Sequence, residues 1–336
     1  MTRRGGLPEV ALFSLGGTIA STHSERAGSG GVTPTLAARE LAAAVPQLQR
    51  TAELEATAFR QNPSGDLTFD DIVDLAGAID SKLRGGAAGA VVTQGTDSIE
   101  ETSFALSLLV DSACPVVVTG AMRNPTLPGA DGPANLLAAV QVACSPAARG
   151  LGTVVVANDQ IHAAAFVRKT HTTSPATFHS SGAGPVGWVV EGRTRVVMRP
   201  ALHLPKLAPP PRTVPRVALL KACLGDDARI IEQVEALGFA GRVIEAFGGG
   251  HLPARMVPAL ETVAGRIPVV LASRTGSGEM LRETYGFAGS ERDLLARGLV
   301  LAGWLDGLKA RVLTTLLLAD GADRATVAAV YRHGCS

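Results

Sequence analysis

Tyrosine is nearly missing from this chain: Tyr285 and Tyr331 are the only two among 336 residues. Aromatic residues together make up 4%, which leaves few flat surfaces on which nucleobases or aromatic cofactors could stack. Neither sign of charge prevails. The 31 basic and 30 acidic side chains give a formal net charge of +1, so nothing in the balance points to nucleic acid or an anionic membrane as partner. No run approaches the roughly 18 continuous apolar residues of a membrane span. The opening residues lack the long apolar core and small-residue cleavage site of a signal peptide.

Cysteine is sparse as well. Cys114, Cys144, Cys223 and Cys335 are widely spaced with no CxxC pair, and the first three each follow an alanine. They read as small core residues, and a chain of this size needs no disulfide framework. A reducing, cytoplasmic setting is therefore expected. His171 and His179 do not have metal-ligand spacing. The sequence calls for no metal and no cofactor.

What is plentiful is glycine, 38 residues, within a chain that is 46% hydrophobic. At roughly 100–200 residues per domain, the length suggests about two domains. Short apolar, β-branched runs at 10–13, 53–59, 88–93, 115–119 and 153–157 read as strands. Helical patterns at 36–45, 69–83, 98–110 and 133–144 separate them, the second with apolar residues at 72, 73, 75, 76, 79 and 83. This alternation implies βαβ crossovers and a mostly parallel sheet, whose ligands sit beyond the carboxyl ends of the strands.

The alternation breaks at 204–216, where five prolines in thirteen residues make a semi-rigid spacer. Beyond it, strands at 217–221, 242–246 and 267–272 alternate with helices at 228–236 and 254–264, and helices near 308–318 and 325–331 follow. The expected organisation is an N-terminal catalytic α/β domain at 1–203, a linker at 204–216 and a smaller C-terminal α/β domain at 217–336.

Two motifs stand at strand ends. Ser14-Leu-Gly-Gly-Thr-Ile-Ala20 follows the first strand and leaves Thr18 at its carboxyl end. A plain strand-to-loop turn explains the glycines equally well, and no phosphate-loop pattern is present. Val91-Val-Thr-Gln-Gly-Thr-Asp-Ser-Ile-Glu-Glu-Thr102 runs from a strand through Thr96 and Asp97 into a helix. Here Asp97 with Glu100, or Ser98 with Glu101, has capping-box spacing. The same residues at a helix N-terminus also suit an anionic ligand.

Together these motifs resemble the bacterial-type L-asparaginases, which hydrolyse side-chain amides with two threonines. The resemblance continues through Gly120-Ala-Met-Arg-Asn-Pro125, Ala130-Asp-Gly-Pro-Ala-Asn-Leu136, Asn158-Asp159, Val167-Arg-Lys-Thr-His-Thr-Thr173 and Ala176-Thr-Phe178. It implies that Thr18 matches the family's nucleophile and Thr96 its second threonine. Lys169 matches the lysine bonded to that threonine, and Asp97 the carboxylate that holds the substrate's α-amino group. Ser64, in Pro63-Ser-Gly-Asp66, matches the serine that binds the α-carboxylate. Glu291 falls near the glutamate supplied by a neighbouring subunit. The implied reaction is L-asparagine plus water to L-aspartate and ammonia through a threonine acyl-enzyme, with L-glutamine a poorer substrate. The implied assembly is a homotetramer, a dimer of dimers. Without the resemblance, Lys169 reads as a surface lysine; it can serve Thr96 only if its proton affinity is lowered by burial or a neighbouring cation.

The chain departs from the family's pattern around these groups. Leu15 stands where threonine usually precedes the glycines, and Gln94 where histidine is common. Gly65 replaces a common glutamine, and His251 a common asparagine. The lid at 21–34 contains no tyrosine, although a lid tyrosine assists the nucleophile in many relatives. Thr22, His23, Glu25, Thr33 or an ordered water are the candidates to take that part. Two alternatives stay open: an amidotransferase subunit of the same family, disfavoured because the chain starts almost at its first strand, and an amino-acid-binding or regulatory protein with impaired catalysis.

Overall fold

In β1 (Glu9–Ser14) every residue after Glu9 is buried. A strand buried on both faces belongs inside a parallel sheet. The structure, a computed structural model, describes residues 6–17, 19, 21–23, 32–34, 38–209 and 214–335. It divides into two units, Met1–Pro200 and Ala201–Ser336.

In the first unit β1 is followed by a short antiparallel pair, β2 (Ser21–His23) and β3 (Val32–Pro34), then α1 (Ala38–Ala43) and β4 (Glu53–Ala58). Next come α2 (Phe69–Arg84), β5 (Gly89–Thr93), α3 (Ile99–Leu109), β6 (Val116–Thr119), α4 (Gly132–Cys144) and β7 (Thr153–Ala157). α2 starts at a reciprocal capping box between Thr68 and Asp71 and buries Ile72, Leu75, Ala76, Ile79 and Leu83, as the spacing predicts. The strands lie in the order β4-β1-β5-β6-β7, all parallel. Because β1 connects to β4 on one side and the chain then crosses to β5 on the other, the connections part beyond the ends of β1 and β5. That divergence opens the crevice where such sheets bind ligands.

The sheet does not stop at β7. β8 (Gln160–Ala163), β11 (Gly187–Val190) and β12 (Arg193–Val196) extend it in antiparallel sense, and β9 (Val167–Lys169) pairs with β10 (Phe178–Ser180) beside it. None of these strands is expected from the alternation. Their signal lies in the turns. Asn158 and Asp159 (φ 51° and 59°) join β7 to β8, and Glu191 and Gly192 (φ 51° and 71°) join β11 to β12. Two successive residues at positive φ are what a tight two-residue hairpin requires.

The second unit contains a four-stranded parallel sheet of β13 (Val217–Lys221), β14 (Gly241–Ala246), β15 (Val269–Ser273) and β16 (Val300–Leu301). α5 (Arg229–Val234), α6 (Val257–Ala264), α7 (Glu291–Ala296), α8 (Gly307–Ala319) and α9 (Arg324–Gly334) accompany it. α7 and β16 are too short for a periodicity to reveal. The architecture is the expected one, two α/β units of which the N-terminal is the larger. All four cysteines are unpaired. Among the described residues no helix is long and apolar enough to cross a membrane.

Tyr331 is fully buried in the second unit, where its hydroxyl donates to the Ala310 carbonyl at 2.7 Å and lies 2.9 Å from Thr314 Oγ1. One of the two tyrosines is thus a structural strut. Tyr331→Phe removes both contacts, and urea titration is expected to show a loss of about 1–2 kcal/mol with an unchanged slope.

His162, on β8, is buried with Nδ1 3.0 Å from Ser180 Oγ. Burial, with a smaller contribution from His179, lowers its pKa from 6.5 to about 4. The folded state therefore resists protonation that the unfolded chain accepts. The stability held above pH 6.5 drains away as pH falls toward 4, by an amount on the order of 3 kcal/mol. His162→Gln should remove this part of the acid sensitivity, seen as a smaller loss of near-ultraviolet circular dichroism between pH 6.5 and 4 than in the wild type.

Candidate active site

Three loops meet at the carboxyl ends of β1, β4 and β5, and the backbone sews them together. Leu15 N–H donates to the Thr93 carbonyl at 2.8 Å, and Asn62 N–H to the Leu15 carbonyl at 3.1 Å. The Ser14 carbonyl accepts from Phe59 and Arg60 N–H at 2.8 and 3.1 Å. Gly17, at φ 82°, runs so close to the β5 loop that a Cβ there would lie 2.0 Å from Gly95 N. Gly95 in turn faces Ser64, whose Oγ would sit 2.7 Å from a Cβ on Gly95. These glycines allow the loops to touch without side chains between them. Leu15, fully buried, contributes backbone to this seam and a hydrocarbon side chain to the core, where a threonine would bring a hydroxyl.

Gly95 leads into a turn of 3-10 helix, Thr96–Ser98, and then α3. Ser98 is the residue before α3, yet its side chain makes no cap. Its hydroxyl instead donates to the Ser64 carbonyl at 2.9 Å. The capping-box reading of Ser98 with Glu101 therefore fails, and the Ser98 hydroxyl serves the meeting of loops. Ser64 itself is buried in a second 3-10 turn, Ser64–Asp66.

Lys169, at the end of β9, reaches the same place from 73 residues along the chain. Its Nζ donates to Thr96 Oγ1 at 2.9 Å and to Asp97 Oδ1 at 2.5 Å. Thr96 is buried, the Lys169 side chain is 15% exposed and the Asp97 side chain 79% exposed. The ammonium thus bridges an enclosed hydroxyl and a carboxylate that faces water. Solvent screens the ion pair, so its worth is positional more than energetic. The outward carboxylate beside the N-terminus of α3 can meet a cationic group, while backbone N–H groups there favour an anionic one.

The structure thus assembles Ser64, Thr96, Asp97 and Lys169. Thr18 and Glu25 lie outside the described residues, and of Thr22, His23 and Thr33 only the backbone of β2 and β3 is described. Glu291 belongs to the second unit, where it is fully buried. Its Oε1 accepts from Tyr285 N–H at 2.6 Å and its Oε2 lies 3.1 Å from His251 Nε2. Burial alone would raise its pKa. The backbone N–H groups of Tyr285, Glu291 and Thr284, together with His251, outweigh that and hold the carboxyl below its usual value. The His251 ring stands edge-on to Tyr285 and Phe287, with centroids 4.9 and 5.2 Å away. Sequence reasoning marked His251 only as a departure, and its pairing with Glu291 has no signal in their spacing. Likewise His171, read as a non-ligand, uses Nδ1 to accept the Thr173 and Ser174 N–H groups in a local turn.

Comparison with known proteins follows the same two units. The family described as "Asparaginase, N-terminal" matches residues 9–202, and "Glutaminase/Asparaginase C-terminal domain" matches 216–331. The chain belongs to the asparaginase family. It is an asparaginase-type hydrolase. An "L-asparaginase" of Bacillus licheniformis is 35% identical over 93% of this chain and 96% of its own length. A "Probable L-asparaginase" of Deinococcus radiodurans is 37% identical over 98% of both. A glutamyl-tRNA(Gln) amidotransferase subunit of Methanosarcina barkeri is 30% identical over 88% of this chain and 70% of its own length. Among solved structures, "Probable Cytoplasmic L-asparaginase from Campylobacter jejuni" superposes with a TM-score of 0.87 at 28% identity, covering 97% of this chain and 99% of that one.

The seam between Gly17 and Gly95 generates a direct test in this asparaginase-family chain. Gly17→Ala combines a positive φ with a collision against backbone, which cannot step aside. It should cost more than about 2 kcal/mol in chemical denaturation and abolish ammonia release. Gly65→Ala meets nothing within 4 Å, and its stability should stay within about 0.5 kcal/mol of wild type.

Proposed function

We propose that this hydrolase converts L-asparagine and water to L-aspartate and ammonia. The observation that carries the reading is the single ammonium of Lys169 held at 2.9 Å from Thr96 Oγ1 and 2.5 Å from Asp97 Oδ1 at the carboxyl end of β5. In this reading Asp97 takes the substrate's α-amino group and Ser64 its α-carboxylate. Thr18 Oγ attacks the amide carbon, the C–N bond breaks, and ammonia departs with a proton. Water then cleaves the threonyl ester, releasing L-aspartate and restoring Thr18. A threonine hydroxyl is a weak nucleophile until a neighbour accepts its proton. A lid group or an ordered water does so for Thr18 and then for the hydrolytic water, while the Lys169 ammonium, donating to Thr96 Oγ1, leaves the Thr96 hydroxyl hydrogen free to turn toward the reacting groups. L-Glutamine is one methylene longer, a difference worth only about 1–3 kcal/mol in a pocket, and we place it as the poorer substrate.

The assembly we propose is a homotetramer of two intimate dimers in a cytoplasmic setting, with 204–216 as the tie between the two units. Four unpaired cysteines and the likeness to the probable cytoplasmic Campylobacter protein support the compartment. Glu291 enters as the residue offered to a neighbouring subunit's substrate, which requires it to exchange His251 for the substrate's ammonium.

The Methanosarcina relative favours a second reading, an amidotransferase component whose ammonia is delivered to a tRNA-bound acceptor. One assay separates these. Wild type should release ammonia from free L-asparagine without tRNA, and Thr18→Ala and Thr96→Ala should each lower kcat by roughly 10²–10⁴. Ammonia release only in the presence of tRNA would install the second reading. Tight binding of L-asparagine with no turnover would make the chain a binding or regulatory protein instead.

A further inference from the structure

Gln94 stands one residue before the glycine that abuts Ser64, and no proposed step employs it. Its backbone is immobilised from two sides: a Cβ on Gly120 would lie 2.6 Å from the Gln94 carbonyl oxygen, and one on Gly17 2.7 Å from its carbonyl carbon. Its N–H donates to the Thr119 carbonyl at 3.1 Å. The side chain is fully buried, and its Nε2 donates to Ser98 Oγ and to the Gly95 carbonyl, each at 3.3 Å. Ser98 Oγ passes the bond on, donating its own hydrogen to the Ser64 carbonyl at 2.9 Å. A hydroxyl that accepts from one neighbour has its hydrogen aimed at another, so the three residues form a directed chain from Gln94 to Ser64. The serine before α3 forgoes its cap to take part.

We propose that Gln94 is a positioning residue that fixes the Ser64 turn through Ser98 and so sets affinity for the substrate's α-carboxylate. The proposal rests on the reading of Ser64 as the carboxylate holder. Gln94 is hydrogen-bonded to neither Thr96 Oγ1 nor Lys169, so it acts on binding and leaves the bond-breaking groups undisturbed. The direction of the hydrogen bonds matters as much as their presence. A carboxylate at 94 can only accept; it would take the Ser98 hydrogen and leave the Ser64 carbonyl without its donor.

Steady-state kinetics on L-asparagine test this with Gln94→Met, Gln94→Glu and Ser98→Ala. A lost hydrogen bond corresponds to roughly a five- to tenfold effect. Gln94→Met and Ser98→Ala should each raise KM by about that factor with kcat within twofold, and the double variant should be no worse than the weaker single one. Gln94→Glu should show a KM that falls as pH is lowered, because the protonated acid donates to Ser98 as the amide does; wild type lacks this transition. On β-alaninamide, which is L-asparagine without its α-carboxylate, kcat/KM should not change between wild type and Gln94→Met. Equal losses on both amides, a fall in kcat at constant KM, or additive single effects would overturn the proposal. If Gln94→Met does not fold, Ser98→Ala carries the same comparison from a half-buried position. Wild type that releases no ammonia from L-asparagine would defeat the underlying functional reading; active wild type with unaffected variants defeats this one alone.

Discussion

The close approach of Gly17 to Gly95 is the constraint on which the rest of the site depends. Parallel strands β1 and β5 bring their carboxyl ends side by side, but strand pairing alone leaves the loops free to splay. Only because Gly17 has no Cβ can the β1 loop lie against the β5 loop at backbone distance, and the missing Cβ of Gly95 lets Ser64 close in from the other side. The contact fixes where β1 ends and holds Gly95 beside Ser64. It also stands just before the start of α3, where Thr96 is enclosed and Asp97 faces water. The sheet supplies direction, and the glycines supply proximity.

Around that seam the polar groups divide by exposure. Thr96, Ser64 and Gln94 are enclosed, Lys169 is mostly enclosed, and Asp97 faces water. Two sets of directed hydrogen bonds hold the enclosed groups, Lys169 to Thr96 and Gln94 through Ser98 to Ser64, while Gln94 Oε1 stays buried without a partner. The exposed carboxylate is the one member free to exchange its partner. A rigid floor with a single replaceable ion pair suits a zwitterionic substrate better than a purely apolar or purely anionic one.

Much of this was legible in the sequence. The alternation of β-branched runs and 3.6-residue patterns leads to the parallel sheet, and the glycine-rich motifs at the ends of β1 and β5 lead to the crevice. What was not legible depends on turns and on distance. The antiparallel strands β8 to β12 are three or four residues each, too short for a period, and are betrayed only by pairs such as Asn158-Asp159 at positive φ. Ser98 carried a capping-box spacing that pointed the wrong way, because a tertiary partner, the Ser64 carbonyl, outcompeted the local N–H groups. Neither the Gln94–Ser98–Ser64 chain nor the burial of Glu291 against His251 has a periodicity to read. The scarcity of tyrosine, by contrast, sharpened into a physical statement: Tyr331 is a buried strut and Tyr285 edges His251 in the second unit.

The bond between Lys169 and Thr96 spans 73 residues, and that between Ser98 and Ser64 spans 34. Local helices such as α2 can form from neighbours in sequence, whereas these contacts must await the closure of long loops, whose entropic cost rises with their length. The site consequently carries a loop-closure cost that those helices do not, of the same kind as the pairing of β1 with β5. A molecule can form such local helices while still lacking any means of holding an amino acid, so helix content alone is a poor witness to a competent enzyme.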